Sequence, residues 1–158
     1  MHPRVSTFVA HARQEYGFDP QVSEYPRGTK TAADAAAAIG CAVGQIASSL
    51  AFDVDGELVL VVTSGANSVD ETALGEWFDA DPDTVSMADP DRIKDTLGWA
   101  IGGVPPFCHD RPVPTVIDED LLEYETVWAA AGTPRAVFAI DPARLERLTN
   151  GETADITG

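Results

Sequence analysis

Lysine is almost absent from this 158-residue chain: Lys30 and Lys94 are the only two. Ten basic residues face 26 acidic ones, for a formal net charge of −16. Such a balance excludes a protein that grips nucleic acid or an anionic membrane through a broad basic face, because the surface repels polyanions. The acids are spread along the chain rather than massed in a tail, so the expected surface is a solvated one suited to a salty interior, as in a halophilic acidic protein. Cysteine is scarce too. Cys41 and Cys108 are too few for a disulfide framework and are expected as free thiols in a reducing cytosol. Cys41, within Ala-Ile-Gly-Cys-Ala, reads as a small core hydrophobe. No apolar run approaches the roughly 20 residues of a membrane span. The opening Met1-His2-Pro3-Arg4 leads into an amphipathic segment without the apolar stretch of a signal peptide, so the expected location is cytoplasmic.

The common catalytic signatures are also missing. There is no G-x-x-x-x-G-K-[ST] phosphate loop, no G-x-G-x-x-G after a strand, and no G-x-S-x-G elbow. His2, His11 and His109 are scattered. Cys108 and His109 are adjacent, and neighbouring side chains on an extended chain diverge, so neither a zinc site nor a Cys/His nucleophile is expected. No metal or organic cofactor is implied.

With 44% apolar residues the chain has ample material for one core, and 158 residues suit one domain spanning 1–158. Val5, Phe8, Val9, Ala12 and Tyr16 recur at helical spacing, and Gly17 is placed to end that helix. Gln21–Tyr25 reads as a short extended stretch. Thr31 through Asp34 resembles a capping box opening a helix over 32–39, stopped by Gly40. Two apolar runs, 46–54 and 58–63, flank Asp55-Gly56, a strong hairpin signal. The second run, Leu58-Val-Leu-Val-Val, does not alternate and should be buried on both faces. A helix over 70–78 is expected to turn Leu74, Trp77 and Phe78 inward. A strand at 85–87, a helix from Asp89-Pro90 to Leu97, a strand at 113–117, a short helix or turn at 118–124, strands at 126–130 and 136–140, a helix to Thr149 and an edge strand within 152–156 complete the reading. Helices and strands alternate without strict βαβ rhythm. The expected class is therefore α/β in the mixed α+β sense, with a mixed, partly closed barrel-like sheet flanked by helices.

The most distinctive local feature is Gly102-Gly103-Val104-Pro105-Pro106. Two glycines let the main chain approach a ligand closely, and two prolines stiffen the end of the loop. Exposed N–H groups on such a loop suit a carbonyl or a developing oxyanion. The same composition also suits a tight turn at a sheet corner.

Several short stretches taken together resemble the YbaK/ProX family: Thr31-Ala-Ala-Asp-Ala-Ala through Gly40, Gln45-Ile46-Ala-Ser48-Ser49-Leu50, Ser64-Gly65 with Val69-Asp70, and Gly98 through Gly102-Gly103-Val104-Pro105-Pro106. Asp118 in Val-Ile-Asp-Glu-Asp and Trp128 through Gly132-Thr133-Pro134 extend the match to about residues 20–156. The resemblance implies an aminoacyl-tRNA editing domain, free-standing or serving a prolyl-tRNA synthetase, that hydrolyses the ester joining a wrong amino acid to the tRNA 3′-terminal adenosine. It implies a small amino acid, alanine or cysteine on proline tRNA, and an acceptor end as partner. Such an activity answers a physical need, because a synthetase pocket separates side chains differing by a methylene by only about 1–3 kcal/mol.

By the same resemblance, Gly102 and Gly103 would hold the aminoacyl carbonyl, and an apolar wall including Val137 would take the side chain. One position departs from the family pattern: a lysine is expected after Gln-Ile-x, and the chain has Ser48. A hydroxyl replaces a charge-assisted donor there. Lys30 could supply a charge from another direction or be a solvated loop residue. Ser48 also keeps open a non-catalytic relative that binds a small ligand or partner. Thr31, Ser49, Ser64, Gly65, Asn67, Val104, Pro105, Pro106, Asp118 and Gly132 complete the expected substrate-binding set. For Thr31, Asp70 and Asp118 helix or turn capping is the competing role.

Overall fold

Asp55 and Gly56 both take positive φ, 51° and 86°. That pair of left-handed residues makes the tight turn demanded by two twisted antiparallel strands, β2 (Ile46–Val54) and β3 (Glu57–Ser64). The computed structural model describes residues 1–26 and 31–158. Around this hairpin lie β1 (Val22–Glu24), β4 (Val85–Met87), β5 (Thr115–Asp118), β6 (Val127–Ala130), β7 (Ala136–Ile140) and β8 (Glu152–Ala154). They form one mixed eight-stranded sheet in the order β1-β7-β6-β2-β3-β5-β8, with β4 added to β2. The path ends at β1 and β8.

Among the described residues five α-helices flank it: α1 (Pro3–Tyr16), α2 (Ala32–Ile39), α3 (Glu71–Trp77), α4 (Pro90–Leu97) and α5 (Pro142–Thr149). Their starts follow from short polar side chains. Thr31 accepts a hydrogen bond from Asp34 N, Asp89 from Asp91 N and Asp141 from Arg144 N. Each such cap contributes about 1 kcal/mol. Gly17, Gly40 and Gly98 end α1, α2 and α4 in the left-handed conformation.

One face of the sheet carries the main core. There Phe8 of α1 sits among Phe107 and Phe138, with centroids 5.7 and 5.0 Å away. The opposite face buries Phe52, Val59, Val61 and Val116 under Leu74 and Ile156. Leu58 through Val62 are all buried, because β3 has neighbours on both edges and cover on both faces. Two expectations are corrected. Trp77 is 43% exposed at the last turn of α3, where Leu74 alone is fully inward. Cys41 is half-buried beside a satellite cluster of Ala35, Ala36 and Ile46, outside the main core.

Candidate functional site

Both β6 and β4 pair with the same edge of β2, at its two ends. β6 runs parallel at Ile46–Trp128 and Ala47–Ala129. β4 runs antiparallel from Phe52–Met87 to Val54–Val85. β3 takes the other edge throughout, from Ala47 to Val54. Among the described residues, nothing pairs with that edge of β2 between Ser48 and Ala51, and the gap closes at its far end where Ala88 N donates to Ala51 O at 3.0 Å. A cavity of about 330 Å³ opens at this interruption. Because it wraps a strand edge, residues of both faces of β2 line it, Ala47, Ser49 and Ala51 from one and Ile46, Ser48 and Leu50 from the other.

The walls are small and apolar. α2 contributes Ala32 and Ala35, β6 contributes Ala129 and Ala130, and Val104, Val137 and Ile93 close the interior. Thr31, Ser48 and Ser49 are the hydroxyl-bearing residues of the lining. The Ser49 hydroxyl is fully buried and has no hydrogen-bond partner among the described residues. Met87 and Ile101, 50% and 53% exposed, also line the cavity and leave large apolar side chains in solvent.

Gly102 is exposed and lines the cavity with φ +89°, a conformation that suits glycine. The loop is held from behind. Gly103 is buried, and a Cβ there would stand 2.7 Å from Thr133 Cα. Its N–H donates to Ala100 O at 3.1 Å, so it is spent inside the loop. Pro105 and Pro106 are buried outside the cavity lining, and Pro105 O takes a hydrogen bond from His109 Nε2 at 2.7 Å. Burial holds the His109 imidazole below its ordinary pKa, against the opposing pull of that bond. Cys108, φ 68°, is buried, and its thiol is pushed up to about 12 by desolvation.

The expected substrate-binding residues divide accordingly. Thr31, Ser48, Ser49, Gly102, Val104 and Val137 meet at one cavity. Lys30 lies outside the described residues. Asp118, Asn67 and Ser64 form a separate buried network at the end of β3. Asp118 Oδ2 accepts from Ser64 N at 2.9 Å, Asn67 Nδ2 at 2.9 Å and Thr63 Oγ1 at 3.2 Å. Its Oδ1 caps the following 3₁₀ turn through Asp120 N at 3.0 Å. Ser64 Oγ donates to Gly44 O at 2.8 Å. Gly65 allows close packing, since a Cβ there would lie 2.6 Å from Ala32 Cβ. Gly132, φ +106°, is buried against Trp99 and α1. These residues shape the walls behind the cavity and do not line it.

Leu50, Met87, Ile93 and Ile101 line the cavity without any warning from sequence, because nothing local reveals where β4 and β6 stop along β2. Trp128 also lines it, while Trp99 is a core residue whose Nε1 donates to Cys108 O at 2.9 Å. Among the described residues no group of three or more His, Cys, Asp or Glu side chains converges to hold a metal, and no helix is long and apolar enough to cross a membrane.

The chain is 39% identical to a structure put forward as a trans-editing enzyme for prolyl tRNA synthetase, with a TM-score of 0.92 over 100% of this chain and 99% of that one. A hypothetical protein of known structure, 24% identical, shares the fold with a TM-score of 0.84 over 96% and 99%. The uncharacterized protein YwhH of Bacillus subtilis (strain 168) is 28% identical over 138 residues, 85% of each chain. Residues 26–148 match the family model of the aminoacyl-tRNA editing domain. The chain belongs to the aminoacyl-tRNA editing domain family.

Proposed function

We propose that the protein is a free-standing hydrolase that removes wrongly attached small amino acids from tRNA, with alanine or cysteine on proline tRNA as its substrates. The observation carrying this reading is that Gly102, Ser48 and Thr31 line one small cavity with an apolar interior. Among the described residues the Gly102 N–H has no main-chain partner, so it is available to the ester carbonyl. A preorganised amide at that point favours the oxygen most when negative charge develops on it, which is how a backbone donor lowers a barrier. The wall of Ala129, Val104 and Val137 suits a methyl-sized or thiol-bearing side chain. Gly103, with its N–H already bonded, supports the loop.

The substrate's acceptor end would enter past Met87 and Ile101, and a net charge of −16 disfavours wider contact with tRNA phosphates. Delivery by a prolyl-tRNA synthetase in the cytoplasm fits that economy of contact. Ser48 favours one competing reading, a relative that binds a small ligand without hydrolysing it. A panel of mischarged tRNAs at high salt decides between them. Deacylation of alanyl- or cysteinyl-tRNA(Pro) above the spontaneous rate is expected. A chain inert on the whole panel that gains activity on S48K is the non-catalytic form.

A further inference from the structure

The gap along β2 exposes the main chain of one residue. Gly65 N donates to Ile46 O at 2.8 Å, which fixes the phase of the antiparallel ladder. Even-numbered residues of β2 turn their N–H and C=O toward β3, and odd-numbered ones turn theirs toward the other edge. On that edge the register with β6 ends at Ala47–Ala129, one step before Ser49 N would reach Ala130 O. At the far end Ala51 O is already taken by Ala88 N. Among the described residues, the Ser49 N–H and C=O therefore face the gap without a main-chain partner. The side chain of Ser49 points elsewhere: Ala47 and Ala51, on the same face of β2, belong to the main core, and the Ser49 hydroxyl is fully buried. Ser49 is nonetheless only half-buried and lines the cavity, so its main chain is what it offers to a ligand.

The size of the gap selects the ligand. At about 3.3 Å per residue, Ala47 and Ala51 stand about 13 Å apart along β2, and β6 and β4 occupy the edge on either side. A peptide strand laid along this edge would run into one or the other. A single aminoacyl residue fits, and its groups match those of Ser49. Its amine can donate to the C=O and its acyl oxygen can accept from the N–H, as in a hydrogen-bonded pair of an antiparallel sheet. The amine of an aminoacyl ester carries a positive charge and needs an acceptor. Among the described residues no Asp or Glu lines the cavity. A main-chain carbonyl then takes that role, through a charge-assisted bond stronger than a neutral one.

We propose that the aminoacyl group adds to β2 as a one-residue strand, its α-ammonium held by the Ser49 C=O and its acyl oxygen shared between the N–H groups of Ser49 and Gly102. This rests on the deacylase reading above. A carbonyl oxygen has two lone pairs and can take both donors. The pairing reads the free amine and the length of the acyl group together. The site thus takes esters of unmodified amino acids and refuses N-acylated ones.

The test compares steady-state hydrolysis of alanyl-, lactyl- and N-acetylalanyl-tRNA(Pro), each relative to its own spontaneous rate. Lactate puts a neutral hydroxyl of nearly equal size in place of the ammonium. For the lactyl ester kcat/KM should fall at least 10-fold, and for the N-acetylalanyl ester at least 100-fold, because the added acyl group also meets the ends of the flanking strands. S48A and T31V, which remove the other hydroxyls of the lining, should keep the preference for alanyl over lactyl whatever their absolute rates. S49P removes the open N–H and sets ring carbons in the gap, and its kcat/KM on alanyl-tRNA(Pro) should fall at least 10-fold. An active wild type that hydrolyses alanyl and lactyl esters alike overturns the pairing and leaves the deacylase reading standing. So does a preference that vanishes in S48A or T31V, or a folded S49P chain with wild-type kcat/KM. A wild type inert on the mischarged panel overturns both.

Discussion

Gly103 lies against Thr133 so closely that a Cβ at position 103 would stand 2.7 Å from the Thr133 Cα and 2.8 Å from its N. The loop carrying Gly102 is thereby pinned to the β6–β7 turn by main-chain contact, and neither partner is the flexible end of a side chain. Gly103→Ala should therefore displace the loop and cost about 2 kcal/mol, as overpacking in a filled region does. Gly102→Ala makes an ordinary van der Waals contact with Pro134 Cγ at 3.5 Å and is strained only by its φ of +89°, worth about 1 kcal/mol. Urea unfolding of the two variants should rank G103A as the less stable. Equal stabilities would contradict the pinned loop.

Asp118 ties β5 to the end of β3 and the turn after it through three accepted hydrogen bonds, from Thr63, Ser64 and Asn67, and a fourth from Asp120 N caps its own turn. Replacing it with alanine leaves the buried Ser64 amide without its acceptor and removes one hydrogen bond each from Thr63 and Asn67, which keep their bonds to Ser64 O and Asp120. The expected loss is about 3 kcal/mol, read as a lowered denaturation midpoint. Deacylation at a temperature where the variant is folded should fall less than 3-fold, because none of these groups lines the cavity. A large loss of turnover in a fully folded variant would place Asp118 in the chemistry instead.

His109 supplies a pH dependence whose sign is fixed by its burial. Its imidazole is held below the ordinary value near 6.5, chiefly by desolvation, with His11 adding to the depression and Asp110 and the Pro105 bond opposing it. Above about pH 6.5 both folded and unfolded chains carry it neutral, and its contribution is fully present. As pH falls from there through the lowered folded value, the unfolded chain takes up the proton first and stability is lost. Thermal scans between pH 8 and 5 should show wild type losing ground to His109→Gln, whose amide can still donate to Pro105 O. Parallel curves would remove His109 as the cause.

The two thiols should separate cleanly. Cys108 is buried with its thiol pushed up to about 12, whereas Cys41, its thiol also raised by burial, is only half-buried. Reactivity follows the exposed thiolate fraction. Titration of the native protein with a disulfide reagent at pH 8 should count one thiol per chain, and two after denaturation. Two fast thiols in the native protein would mean the segment around Cys108 opens readily.

Much of this protein is set by local chemistry that a single chain displays. The Asp55-Gly56 pair dictates a hairpin because only residues tolerant of positive φ close it. The capping side chains Thr31, Asp89 and Asp141 start α2, α4 and α5 where the spacing says they should. The unbroken apolar run of β3 announces a strand covered on both faces. The order of the short motifs is enough to indicate the editing domain family. Trp77 departs from its expected inward place because helical spacing tells which residues share a face but not where the packing beneath them stops, and the end of α3 projects past it. Tertiary structure alone decided the site. Gly102 and Ser48, far apart in the chain, meet because two different strands take the two ends of one edge of β2. How far each strand extends along that edge is a matter of register between distant segments, fixed by the packing of both sheet faces, and no run of neighbouring residues encodes it.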